Sequence, residues 1–200
     1  MPTVLILYPT ELASQSKFNR KVGKILSRME QFSVVFPHDD KNLIHGFFLD
    51  RPNVTLIQAL DWSSCSITHA IVFDDGEVFQ AEVEALKSVG IPVREIEVKI
   101  TRVVNIKKET RFASQRSSPS YEYIGRGSYW GNPYSMFAEG ESRDEVIRKF
   151  KYDFDFDKFP NKKKSEVYKL AGKRLGCFCK PDPCHGDVLA AFLNSWDDEQ

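Results

Sequence analysis

The chain has 200 residues, enough for one large domain or two small ones, each able to bury its own core. Hydrophobic residues make up 42% and charged residues 28%, which excludes a disordered chain, and no apolar run approaches the ~18 residues of a membrane span. Formal net charge is zero, which excludes a generally basic nucleic-acid coat; residues 1–100 carry 10 basic against 13 acidic side chains and residues 101–200 carry 18 against 15, so phosphate or nucleic acid is expected on the second half.

The opening MPTVLILYPTE has no basic head and an acidic residue soon after its apolar stretch, so it reads as a buried strand, and a cytoplasmic protein with no membrane partner is expected. TVLILY (3–8) is a continuous apolar run of the kind buried on both faces. SKFNRKVGKILSRM follows, with Phe18, Val22, Ile25, Leu26 and Met29 at helical spacing. FSVVF (32–36) predicts a second strand, NLIHGFFLD (42–50) a short helix, and VTLIQ (54–58) and THAIVF (68–73) two more strands. GEVFQAEVEALKSVG (76–90) predicts a helix stopped by Gly90, before the strand PVREIEV (92–98). Strands and helices alternating at this rhythm imply right-handed crossovers and a mainly parallel sheet, a Rossmann-like α/β domain over residues 1–99.

The character changes at 99–120, where KITRVVNIKK predicts a strand and ETRFASQRSSPS is polar and basic. A smaller α/β or α+β domain is expected over 100–196. It holds YEYIGRG, a turn in SYWGNPY, a helix opened by Ser142, a helix over SEVYKLAGKR, a strand LGCFC (175–179) and a last helix HGDVLAAFLNSW. Residues 197–200 read as a solvated acidic tail. Of the histidines outside the cluster below, His69 falls on a strand and His38 and His45 on the surface, none with a partner evident in sequence.

Three of the four cysteines and one histidine lie within nine residues, Cys177, Cys179, Cys184 and His185. So few cysteines, with no secretion signal, argue against a disulfide framework. As Cys3His the four suit zinc, although two adjacent ligands must diverge unless the backbone turns sharply. Cys184 or His185 could instead cap the last helix, where amide groups attract anions and lower a thiol pKa, with Cys179 as a resolving thiol. A cysteine that merely faces the core is a third option. In YIGRGSYWGNPY, Arg126 offers a fork of donors to phosphate, Asn132 an amide for a base edge, and Trp130 or Tyr129 a stacking ring; a loop closed by Gly and Pro around an aromatic plug is the bland alternative. Together, TRVVNIKK, YIGRGSYWGNP, SRDEVIRKF and GKRLGCFCKPDPCHGDVLAAFL resemble a domain of unknown function from bacteria and their phages, signed G-R-x-S-x-W-G-N-P and C-x-C-x4-C-H-G-D. The resemblance covers residues 101–195 and implies that the Arg126–Ser128 loop and the Cys184 cluster form one site. The basic insert at 109–120 departs from the pattern.

THAIVFDDGEVFQAEVEALKSVGIPVREI ends a strand in Asp74 and Asp75, at the sheet edge where α/β proteins bind ligands. The stretch resembles nucleoside 2-deoxyribosyltransferases and related nucleotide N-glycosidases. Counting back from Gly90-Ile91-Pro92-Val93, that family's nucleophilic glutamate falls on Glu82; counting forward from Gly76 it falls on Gln80. The resemblance implies attack by Glu82 on an anomeric carbon, with Asp74 or Asp75 protonating the leaving base and Tyr8 beside the same crevice. Two functions follow as expectations. One is a nucleotide- or nucleic-acid-processing enzyme acting at an N-glycosidic bond, with Tyr8, Arg126, Ser128, Trp130, Asn132, Cys184 and His185 holding a nucleotide or nucleoside. The other is a zinc-stabilised module without catalysis, gripping DNA or RNA through Lys107, Lys108, Arg111 and Arg116 with Tyr121 and Tyr123 for stacking. Thiol chemistry at Cys184 is a third reading, and a homo-oligomer is left open.

Overall fold

The computed structural model describes residues 1–112, 114–136 and 140–198. It divides into two compact units, Met1–Val98 together with the stretch from Ser195, and Lys99–Asn194. The expected boundary lies one residue further on, between 99 and 100.

In the first unit the strands β1 (Thr3–Leu7), β2 (Phe32–Phe36), β3 (Val54–Gln58), β4 (His69–Asp74) and β5 (Val93–Glu97) form one parallel sheet in the order β3-β2-β1-β4-β5. The chain is the expected Rossmann-like α/β fold. Helices α1 (Gln15–Leu26), α2 (Leu43–Phe48) and α3 (Gln80–Ser88), with a 3-10 turn at Trp62–Ser64, make the crossovers. Side chains alternate across a strand. Leu5, Leu7, Val35, Ala70 and Val72 therefore cluster with Val83 and Leu86 of α3, while Tyr8 and Phe73 point the other way, against Phe18 of α1. The run 3–8 is apolar throughout because both faces of β1 are covered.

The helix expected over 76–90 begins only at Gln80. Asp74 and Asp75 turn the chain by accepting the N–H groups of Gly76, Glu77 and Val78, and Phe79 takes a left-handed φ of 66° before the first helical residue. The expected solvated tail is corrected as well: Asp197 is 6% exposed and takes Arg20 of α1 at 2.7 Å, and Asp198 takes Lys17 at 2.5 Å. Two cations on one face of α1 supply the partners that sequence spacing hides. Glu199 and Gln200 of that tail lie outside the described residues.

The second unit is built on a four-stranded mixed sheet, β6 (Arg102–Asn105), β7 (Ser117–Ser118), β8 (Tyr121–Tyr123) and β9 (Arg174–Cys177), in the order β6-β9-β8-β7. Helices α4 (Arg143–Asp155) and α5 (His185–Ser195) contribute to its core of Ile124, Trp130, Phe150, Phe154, Leu175, Leu189 and Leu193. Ser142 caps α4 in a reciprocal box with Glu145. The helix expected over 165–174 is instead a 3-10 stretch, Lys164–Leu170, stopped by Gly172 at φ +77° so that Arg174 can open β9. Asn194 holds both the N–H and the carbonyl of Thr101, at 2.9 and 3.0 Å, fastening the end of α5 to the start of the unit. Among the described residues no helix is long and apolar enough to cross a membrane.

Candidate functional site

In the second unit β9 stops at Cys177, short of the strand expected to carry Cys177 and Cys179 on one face, yet their sulfurs lie 3.5 Å apart because the chain curls back immediately. Asn105 at the end of β6 fixes that curl by donating to the carbonyls of Phe178 and Lys180. Cys184 and His185 straddle the start of α5, as the helix expected from His185 implies. Adjacent side chains need not diverge there, and Cys184 Sγ comes within 3.7 Å of His185 Nδ1.

The C-H-G-D run has a local explanation. Asp187, three residues into the turn, accepts the Cys184 N–H at 2.9 Å, as Glu145 accepts that of Ser142, while its own N–H donates to the Cys184 carbonyl and closes the turn. Cys184 Sγ accepts the Gly186 N–H at 3.4 Å. A Cβ on Gly186 would collide with Ile124 Cδ1, so this turn of α5 lies against the chain leaving β8 only because residue 186 is glycine. His185, buried under the Phe150 ring, bonds the Ile124 carbonyl through Nε2 at 2.9 Å.

These groups perturb one another. The Cys184 thiol donates to Cys177, and with the Cys179 N–H it holds the Cys177 thiol down to about 5 against the opposing effect of burial. That same donation to Cys177, together with burial, pushes Cys184 up. Cys179 is pushed up by burial and by its charged neighbour Cys177, and burial lowers the His185 imidazole.

The cluster forms one wall of a cavity of about 310 Å³ whose other walls include Arg126, Asn132, Tyr134, Met136 and Arg143. An adjoining concavity of about 430 Å³ shares Arg126 and Asn132 and adds Ser128 and Lys162. The loop of Arg126 and the cluster of Cys184 thus line one cavity. Arg126 is exposed and donates to Ser135 Oγ at 3.2 Å, whereas Arg143 is tied to Asp182 and the Pro183 carbonyl. Trp130 corrects an expectation: it is 4% exposed and edge-on to Phe154, so it plugs the core and leaves Tyr129 as the exposed ring of the loop. Asn132 has both ends of its amide on backbone, donating to Val146 O and accepting from Tyr134 N, so it braces the loop. Gly131 is needed for the same fold, since a Cβ there would lie 2.6 Å from the Gly125 carbonyl.

In the first unit the strand order reverses between β1 and β4, and the crevice outside their carboxyl ends is where open α/β sheets bind ligands. Asp74 ends β4. Tyr8 follows β1 but is 1% exposed, its hydroxyl donating to Asp39 at 2.5 Å, so it braces this edge and does not reach out from it. Asp39 also accepts the N–H groups of Ile44 and His45 at the start of α2 and His45 Nδ1 at 2.7 Å. Burial alone would raise its carboxyl, but these donors outweigh burial and hold it below the ordinary range. Burial and the Asp39 carboxylate push the Tyr8 hydroxyl up. Glu82 is half-buried in the first turn of α3, with no hydrogen bond or ion pair among the described residues, while the Gln80 amide closes on the Gly76 carbonyl at 3.0 Å.

Comparison with known proteins matches residues 1–104 to the minimal SLOG domain. The chain belongs to the minimal SLOG domain family. SLOG domains are Rossmann-like and associated with nucleotide-related functions, in keeping with the sheet described above. Downstream of the SLOG half, residues 104–195 match a domain of unknown function, DUF4326. One relative is the uncharacterized 12.4 kDa protein of the nrdA-td intergenic region of Enterobacteria phage T4, 35% identical over 100 residues, which span 48% of this chain and 87% of that protein. No solved structure matches.

Sequence reasoning missed Asp39, His45, Asp187, Tyr134 and Arg143. Asp187 was legible as an acidic residue three positions after Cys184, the spacing of a reciprocal cap. Asp39 and His45 were not, because their alliance with Tyr8 spans 31 residues and exists only once β1 and β2 lie side by side.

Proposed function

We propose that the protein processes nucleotides in the cytoplasm of a bacterium or a phage-infected cell, cleaving or transferring at an N-glycosidic bond with Glu82 as the nucleophile. The observation that carries this is the half-buried carboxylate of Glu82, without a hydrogen bond or ion pair among the described residues, in the first turn of the helix that follows β4, one of the two strands between which the sheet order reverses. A carboxylate there attacks the anomeric carbon from the face opposite the departing base, and the glycosyl-enzyme ester is then resolved by water or an acceptor. Asp74 and Asp75, which turn the chain at the same edge, are the candidate proton donors to the base. Substituting Glu82→Gln keeps size and removes the nucleophile, so base release from a panel of nucleotides is expected to fall by about 10³-fold or more. Unchanged turnover would remove Glu82 from this role.

A second reading, a binding module without catalysis, is favoured by the cations of the DUF4326 unit: Arg126, Arg143 and Lys162 line its two concavities, and Lys107 and Arg111 lie over the rings of Phe178 and Phe112. It calls for binding to RNA or DNA whose log affinity falls linearly with log salt.

A further inference from the structure

We infer that Cys177, Cys179, Cys184 and His185 hold one zinc ion, which locks the turn from β9 into α5 and gives the cavity a rigid wall. The inference concerns the second unit alone and stands whether or not Glu82 is a nucleophile.

The ligand atoms of Cys177, Cys184 and His185 lie within 4.8 Å of one another, and all three residues are buried. Zinc–sulfur bonds of about 2.3 Å in a tetrahedron place neighbouring ligands roughly 3.7 Å apart. The separations here are 3.5 Å between the sulfurs of Cys177 and Cys179 and 3.7 Å between Cys184 Sγ and His185 Nδ1, close to that spacing, and Cys179 joins the three-ligand group through Cys177. A disulfide between Cys177 and Cys179 would instead bring their sulfurs to about 2.05 Å.

The outer contacts suit a metal as well. With Nε2 on the Ile124 carbonyl, His185 keeps its proton there and turns the Nδ1 lone pair toward Cys184, the orientation a metal-binding imidazole needs. Asn105 holds the carbonyls of Phe178 and Lys180, and Asp187 holds the Cys184 N–H, so both segments that carry thiols are anchored from outside the cluster. Cys179 is the one thiol of the set that is not fully buried, and it lines the cavity with Cys177 and Cys184; the ion would therefore lie just behind the cavity wall that faces Arg126.

The test uses the full chain. Purified from zinc-containing medium it is expected to carry about one zinc per molecule by elemental analysis, and stripping the metal with a chelator is expected to lower its melting temperature. Cobalt(II) replacing zinc reports its own ligands. The sulfur-to-cobalt charge-transfer band is expected to lose about a third of its intensity in Cys179→Ser, as three thiolates become two, and to be unchanged in the control Cys65→Ser. Cys177→Ser and Cys184→Ser are expected to abolish tight binding; should they fail to fold, the cobalt spectrum of Cys179→Ser and zinc titration of the unsubstituted chain still decide the matter. Metal-free protein that takes up neither zinc nor cobalt on titration would overturn the site, and a cobalt spectrum identical in Cys179→Ser would overturn the four-ligand set.

Discussion

Asp39 shows how much one side chain can organise in the first unit. Its two oxygens gather the Tyr8 hydroxyl, two N–H groups at the start of α2 and the His45 ring, joining the ends of β1 and β2. Those donors stabilise the ionised form, so its pKa in the folded chain lies below the unfolded value of about 3.9. A carboxylate of this kind contributes stability that is fully present above the unfolded value and is lost as pH falls toward the folded one. Urea unfolding midpoints followed from neutral pH into acid are therefore expected to fall for the native chain, and Asp39→Asn is expected to lower the neutral plateau and flatten its own acid limb. Parallel acid limbs in the two proteins would show that Asp39 has no such role.

Among the elements of the second unit, two helices begin in the same way. Both α4 and α5 begin with a residue that accepts an early N–H and an acidic residue three positions on that bonds back, Ser142 with Glu145 and Cys184 with Asp187. At α5 that geometry serves the cluster, because a cap held from both sides fixes where Cys184 and His185 point. At α4, Ser142→Ala is expected to cost about 1 kcal/mol, read as a lower urea midpoint with an unchanged slope. The same scale shows what was readable in advance. Strands β1 to β5 and helices α1, α4 and α5 were legible because burial on one face or two leaves a period in the sequence. The 3-10 stretch at Lys164–Leu170 and the late start of α3 were not, since one is set by the left-handed Gly172 and the other by Asp74 and Asp75 bonding ahead of the helix. The cavity was half legible: the two signatures named Arg126 and the thiols, but composition could not tell that Trp130 and Asn132 hold the loop together while Tyr134 and Arg143 line the cavity.

At the level of the whole molecule, the first unit is closed by residues far from it in sequence. Asp197 and Asp198 return to α1, where Arg20 and Lys17 meet them, and the Asp197 side chain is only 4% exposed. Replacing one partner of such a pair takes a counter-charge away from a desolvated group, which is costlier than losing a surface pair. Arg20→Ala is expected to destabilise the protein by about 2 kcal/mol, little relieved by added salt, as measured by chemical unfolding at low and high ionic strength. A cost that vanishes in salt would mark the contact as an ordinary surface attraction.

Because the chain leaves the sheet after Val98 and comes back at Ser195, the DUF4326 unit is a guest threaded into its SLOG host. A fragment stopped at Val98 would keep every strand of the host sheet and still lack its clasp, stranding the Lys17 amine, only 7% exposed, without Asp198. Excising the guest while splicing residues 195–198 back through a short loop would restore the clasp, and that shortened host would hold the SLOG sheet free of the cysteine cluster.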